Sequence, residues 1–203
     1  MKNLRRRPVS ASLSEETSEA GRHVKAGKEL DEVNYSRNIV NKLTMKQLNL
    51  NIPLMLKTEE ELTPQEADLL EQAKQASLRS YSPYSHFSVG AAALLDDDTV
   101  ITGSNQENSA YPSGLCAERT AVFYANSRYP ERTVRLLCVV ARNTDGRYTE
   151  RPIPPCGACR QVLSETEDRQ RQPMRIMLYG TSGIVFLNTV KDLLPLHFDT
   201  TFL

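Results

Sequence analysis

Two short stretches, Cys116-Ala117-Glu118-Arg119 and Pro155-Cys156-Gly157-Ala158-Cys159, decide how the whole chain is read. Together they supply three thiols and one carboxylate. Zinc holds thiolates tetrahedrally, and a site closed by four protein ligands is structural, whereas three ligands leave a position open for chemistry. Cys156 and Cys159 lie three residues apart, so at the start of a helix they share a face. Glu118 follows Cys116 by only two residues, which in mid-helix would turn it roughly 200° away. The two share a site only if Cys116 opens the helix. Both stretches read that way: Pro155 suits a first helical position, and Ala117 to Ala125 is a good helix-forming run after the loop residues Pro112, Ser113 and Gly114. Two helix N-termini then face the metal. Their positive dipole ends and Arg119 offset the negative charge of three thiolates.

Other uses of cysteine fit less of the pattern. A lone CxxC also serves redox sites and zinc ribbons, but a ribbon needs a second CxxC, and none exists. Cys138, the fourth cysteine, sits in the apolar run Leu136-Leu137-Cys138-Val139-Val140, where packing is its expected role. A redox reading leaves Cys116 and Glu118 without a purpose. The three histidines are poor fourth ligands: His23 lies in the polar N-terminal stretch, His86 in a turn-like segment and His197 near the C-terminus.

Working outward, Thr63-Pro64-Gln65-Glu66 is a capping box with Pro at the first helical position, and Leu69, Leu70, Ala73, Ala76 and Ser77 form its inward stripe. That helix is expected to end before Pro83. Ser88 to Leu95 and Val100 to Ser104, joined through Asp96-Asp97-Asp98, read as a hairpin. The Cys116 helix, an apolar strand over Val134 to Ala141 and the Cys156 helix follow. Strands over Arg175 to Tyr179 and Ile184 to Asn188 flank Gly180 and Gly183, and Thr189 opens a last short helix stopped by Pro195. Helix, hairpin, then alternating strand and helix predict an α/β protein with one sheet covered on both faces.

At 203 residues, 39% of them hydrophobic, the chain is long enough for one good core. Its 25 acidic and 25 basic side chains cancel, so it carries no electrostatic footprint for nucleic acid. No apolar run reaches the roughly 18 residues of a membrane span. Three cysteines committed to metal point to a reducing compartment, the cytoplasm. Residues 1–44 are charged and poor in aromatics and are expected to be a disordered extension. Residues 45–58 read as a lead-in segment, and 59–203 as the zinc-dependent domain.

The quoted motifs resemble a known family. Gly114 to Ala121 and Pro155 to Gln161 are similar to the paired zinc motifs of the small cytidine deaminases. Tyr84 to Ala91 resembles that family's nucleoside-pocket strand, and Ser104 to Pro112 its ribose-binding loop. The resemblance runs from about Glu59 to the C-terminus. It implies a three-layer α/β/α fold around one mixed central sheet, with zinc on Cys116, Cys156 and Cys159 and with Glu118 as the proton shuttle. It further implies hydrolytic deamination of cytidine and deoxycytidine at C4. Phe87 then packs on the pyrimidine, Asn105 and Glu107 bind the ribose 3′-hydroxyl, and backbone groups near Ala117 hold the base edge. The resemblance also implies a homotetramer with shared active sites, in which Phe198 matches a tail aromatic that reaches a neighbouring site. Two alternatives stay open here: a deaminase of a modified cytosine nucleoside such as blasticidin S, and a non-catalytic zinc-stabilised interaction module.

Overall fold

Alternation of side chains along the strands divides the interior into two cores. The computed structural model describes residues 47–203, so the expected extension over 1–44 lies outside the described residues. Six strands form one sheet in the order β1-β6-β5-β4-β2-β3. They are β1 (Met55–Lys57), β2 (Ser88–Leu95), β3 (Val100–Ser104), β4 (Val134–Arg142), β5 (Arg175–Gly180) and β6 (Gly183–Leu187). The β4/β5 pair is parallel and every other pair antiparallel, so the sheet is mixed. Parallel neighbours need a crossover, and α3 (Gly157–Gln170) supplies it between β4 and β5.

Period-2 alternation sends Ala92, Leu94, Leu136, Cys138, Val140, Met177 and Phe186 to one face, where Leu69, Leu70 and Ala73 of α1 (Pro64–Ser77) cover them. The intervening Ala91, Ala93, Leu137, Val139, Ile176 and Leu178 point the other way, against Ala117, Ala121, Val122 and Ala125 of α2 (Ala117–Arg128) and Leu163 of α3. Three layers result, α1 on one side and α2 with α3 on the other. Two glycines set how closely the helices dock. A Cβ on Gly90 would lie 2.2 Å from the Ala73 carbonyl oxygen of α1, and one on Gly103 would lie 2.5 Å from the Ala117 carbonyl oxygen of α2. Neighbouring strands therefore use glycine once for each face.

The expected helix-one stripe is buried in full, and the hairpin spans the expected residues. Asp98 adopts a left-handed φ of 67°, which Asp tolerates in a tight turn. Three details differ from the sequence reading. Pro155 stands outside α3, because Cys156 is the N-cap and the helix begins at Gly157. The last short helix is a 3₁₀ turn over Val190–Leu193. The lead-in segment contributes β1, an edge strand that pairs antiparallel with β6 through Met55↔Phe186 and Lys57↔Ile184. Among the described residues no helix is long and apolar enough to cross a membrane.

Candidate active site

Cys116 is the N-cap of α2 and Cys156 the N-cap of α3, both with extended backbone, so two helices begin at one spot. Cys159, one turn into α3, completes the group. Its thiol is buried, whereas Cys116 is half-buried and Cys156 exposed. The Cys116 and Cys156 sulfurs are 3.8 Å apart and those of Cys156 and Cys159 3.5 Å. Disulfide sulfurs would lie about 2.05 Å apart, so these are free thiols. Four ligands at the usual zinc–sulfur length of about 2.3 Å in a tetrahedron place sulfurs about 3.8 Å from one another, which the observed spacing matches closely.

Electrostatics point to the same occupant. The Cys116 thiol is lowered to about 5, chiefly by the adjoining Cys159 thiol and, against desolvation, by Arg119, whose Nη2 lies 3.7 Å from Cys116 Sγ. Cys159 is pushed up in turn, by Cys116 first, then by burial and the Glu118 carboxylate. A dication bound between the three thiols would favour the thiolate form of all of them. Cys138 cannot be a fourth ligand. It is wholly buried on the α1 face, on the other side of the sheet, and burial pushes its thiol up. Among the described residues Cys116, Cys156 and Cys159 form the cysteine metal cluster, which leaves one tetrahedral position free of protein.

Glu118 sits one residue inside α2, at 4% exposure, and burial raises its carboxyl above the usual carboxylate range. An N-cap cysteine followed by a second-position glutamate brings both groups to one helix end, as the spacing requires. Beside them opens a cavity of about 460 Å³ lined by Asn105, Glu107, Cys116 and Arg119, together with Tyr84, Ser85 and Tyr111. The Tyr84 and Tyr111 rings meet edge-on at 5.9 Å. Two backbone hydrogen bonds between Gln106 and Leu115 hold the loop that carries these residues.

The expected substrate residues divide. Asn105 and Glu107 reach the cavity. Ala117 is buried at the first position of α2, where it packs on Gly103. Phe87 is half-buried just before β2 and is absent from the cavity lining. Phe198 lies 58% exposed, stacked on Phe202 at 5.8 Å, with its carbonyl accepting from Gln161 of α3. Phe123 and Tyr124 face outward from α2. Ser85 received no role from the sequence. Its hydroxyl donates to Glu107, whose carboxylate also accepts from Tyr84 N at 2.9 Å and Ser85 N at 3.3 Å. The Ser85 hydroxyl first, then those backbone donors and His86, hold Glu107 below the ordinary carboxylate value.

A three-layer α/β/α sheet with an open three-thiol centre at two helix N-termini defines a zinc hydrolase. A family model described as the cytidine and deoxycytidylate deaminase zinc-binding region matches residues 63–172. A curated cytidine deaminase of Halalkalibacterium halodurans is 44% identical over 127 residues, covering 63% of this chain and 89% of the relative. The crystal structure of cytidine deaminase from Burkholderia pseudomallei is 39% identical and matches with a TM-score of 0.56 over 64% of this chain and 97% of its own. That of Mycobacterium tuberculosis is 35% identical, with a TM-score of 0.51 over 65% and 95%. The chain belongs to the cytidine and deoxycytidylate deaminase zinc-binding family.

Proposed function

We infer that the protein is a zinc-dependent cytidine deaminase that converts cytidine to uridine and releases ammonia, with deoxycytidine as a second substrate. The observation that carries this reading is the meeting of three thiols with the buried Glu118 beside a cavity that also presents Asn105 and Glu107. The relatives' cytidine deaminase activity supports it, and neither blasticidin S turnover nor a non-catalytic role is favoured.

Cys116, Cys156 and Cys159 would hold the zinc, and the ion supplies Lewis acidity that makes water a nucleophile at neutral pH. Glu118 takes one proton from the water that attacks C4 and gives it to N3 of the ring, where uridine keeps it, then takes the proton of the new C4 hydroxyl and gives it to the amine as the C4–N bond breaks and ammonia leaves. Its raised pKa suits a carboxyl that must both accept and return a proton. Arg119 offsets charge at Cys116. Asn105 and Glu107 take the ribose 3′-hydroxyl, backbone near Ala117 takes the base edge, and Phe87 is assigned to the pyrimidine.

We assign Phe198 to a neighbouring subunit's pocket in a homotetramer. Its exposure, and that of Phe123 and Tyr124, support an assembly. Free thiols suit the reducing cytoplasm. A chain starting at Met45 is expected to keep full activity, since 1–44 lacks a packing pattern. The deciding measurement is absorbance loss on cytidine together with the zinc content of the same sample. Zinc-loaded protein that leaves cytidine untouched would refute the assignment.

A further inference from the structure

Asn105 and Glu107 line the cavity, yet most of their hydrogen-bonding capacity is already used within the protein. Asn105 Oδ1 accepts from Val89 N–H at 2.7 Å and from Ser80 Oγ at 2.5 Å, and Asn105 Nδ2 donates to the Phe87 carbonyl at 2.9 Å. A backbone N–H only donates and a carbonyl only accepts, so these contacts fix which end of the amide is oxygen. The oxygen's two lone pairs are occupied, and one amide hydrogen is left over. Glu107 accepts from Tyr84 N, Ser85 N and the Ser85 hydroxyl. Of the roughly four acceptor sites of a carboxylate, about one is left. The pair therefore offers the cavity one donor and one acceptor, and a single hydroxyl answers both.

We propose that Ser80 and Ser85 are the positioning residues of this hydroxyl reader, Ser80 holding Asn105 as the donor and Ser85 holding Glu107 as the acceptor. The proposal rests on the nucleoside reading above and adds two side chains that need touch no substrate. Ser80 has its own support. Its Oγ lies 3.2 Å from Ser82 Oγ, which lies 3.2 Å from Ser88 Oγ. Ser80 Oγ is the donor toward Ser82 as well as toward Asn105, the Asn105 contact being much the shorter, so polar partners on both sides hold this hydroxyl in place.

The test compares kcat/KM for cytidine and 3′-deoxycytidine in the full chain and in Ser80→Ala, Ser80→Thr and Ser85→Ala. Losing the hydroxyl strands a donor and an acceptor together, so the parent is expected to prefer cytidine at least ~10²-fold. Ser80→Ala removes one of the two donors on the Asn105 oxygen, and Ser85→Ala one of the three on Glu107, so each group keeps its backbone contacts but is held less firmly. Each is expected to cut that preference about tenfold, through the KM for cytidine, with kcat and the 3′-deoxycytidine rate little changed. Ser80→Thr keeps a hydroxyl and is expected to restore the preference. A purely structural role would lower both substrates together, and a ratio fixed at the parent value overturns the proposal. Ser85 is exposed, so its variant keeps the test decisive if Ser80→Ala fails to fold. A parent chain that never turns over cytidine would sink the deaminase reading itself, whereas turnover with an unmoved ratio sinks this inference alone.

Discussion

The two faces of the sheet receive alternate residues of the same strands, yet only one is equipped for chemistry. On the α1 face, Cys138 lies among leucines and its thiol stays protonated. Charged groups there are paired around the rim: Glu66 with Lys57 and Arg175, and Glu59 with Lys74. On the other face, α2 and α3 both begin beside the cavity, and three more cysteines sit at or next to their N-termini. Residue type alone does not make a reactive thiol. Helix N-termini offer unpaired N–H groups and a positive dipole end, and cysteines placed there are ready to ionise and bind a metal.

The sharpest break in this contrast comes from Glu118. Glu118→Gln is expected to retain zinc and lose about 10²-fold to 10⁴-fold in kcat, the scale of general acid–base catalysis. Cys156→Ala is expected to lose zinc as well. Zinc content and cytidine turnover of both variants check the distinction, and a Gln variant at the parent rate would remove Glu118 from the mechanism.

Gly103→Ala and Gly90→Ala test the faces separately. Each forces a Cβ into helix backbone and is expected to cost about 3 kcal/mol, read from denaturant unfolding. Only Gly103→Ala displaces α2, so only it is expected to weaken zinc binding as well. Equal loss of zinc in both would show that the faces are not independent.

Cys138→Ala is expected to cost about 1 kcal/mol and leave zinc and turnover intact. After chelation, a thiol reagent should label Cys116 and Cys156 rapidly in the folded protein, the buried Cys159 more slowly, and Cys138 only on unfolding. Rapid labelling of Cys138 in the native state would contradict its burial.

The smallest effect lies on the α1 rim. Desolvation acts to raise the Glu66 carboxyl, but the Thr63 N–H, Lys57 and Arg175 together hold it below its ordinary 4.5. A depressed carboxyl stabilises the fold above the unfolded-state pKa and loses that contribution as pH falls through the lower folded value. Glu66→Gln is therefore expected to cost about 1 kcal/mol near pH 7. The gap between variant and parent melting temperatures should narrow as pH drops below about 4.5. A gap that stays constant down to pH 3 would show that the contribution is not ionic.

Much of this was legible in the sequence because local patterns determined it. The Thr63–Glu66 capping box, the α1 stripe and the β2–β3 hairpin follow from spacing, and the two-residue step from Cys116 to Glu118 demanded a helix start. β1 was not legible: three residues after Pro53 become a strand only because β6 offers an edge. Pro155 was read two positions too deep because proline also fits just before an N-cap. In the candidate site, the Ser85 hydroxyl contact to Glu107 joins residues 22 apart, and no periodicity signals it. Phe87 was placed in the pocket by resemblance, while the cavity wall beside Glu107 is formed by Tyr84 and Tyr111.

Cys116 and Cys156 lie 40 residues apart, and strand β4 occupies the interval. An ion gripped by both thiols closes that span into a ring, as a covalent cross-link would. The entropy of bringing the ends together grows only slowly with length, so even this long span is closed at modest expense. The ring joins the start of α2 to the crossover that the parallel β4/β5 pair requires, the slowest kind of pairing to assemble. Metal supply during synthesis would then influence how much of the chain reaches the native state, since a ligand bound only by the folded form draws the equilibrium toward it.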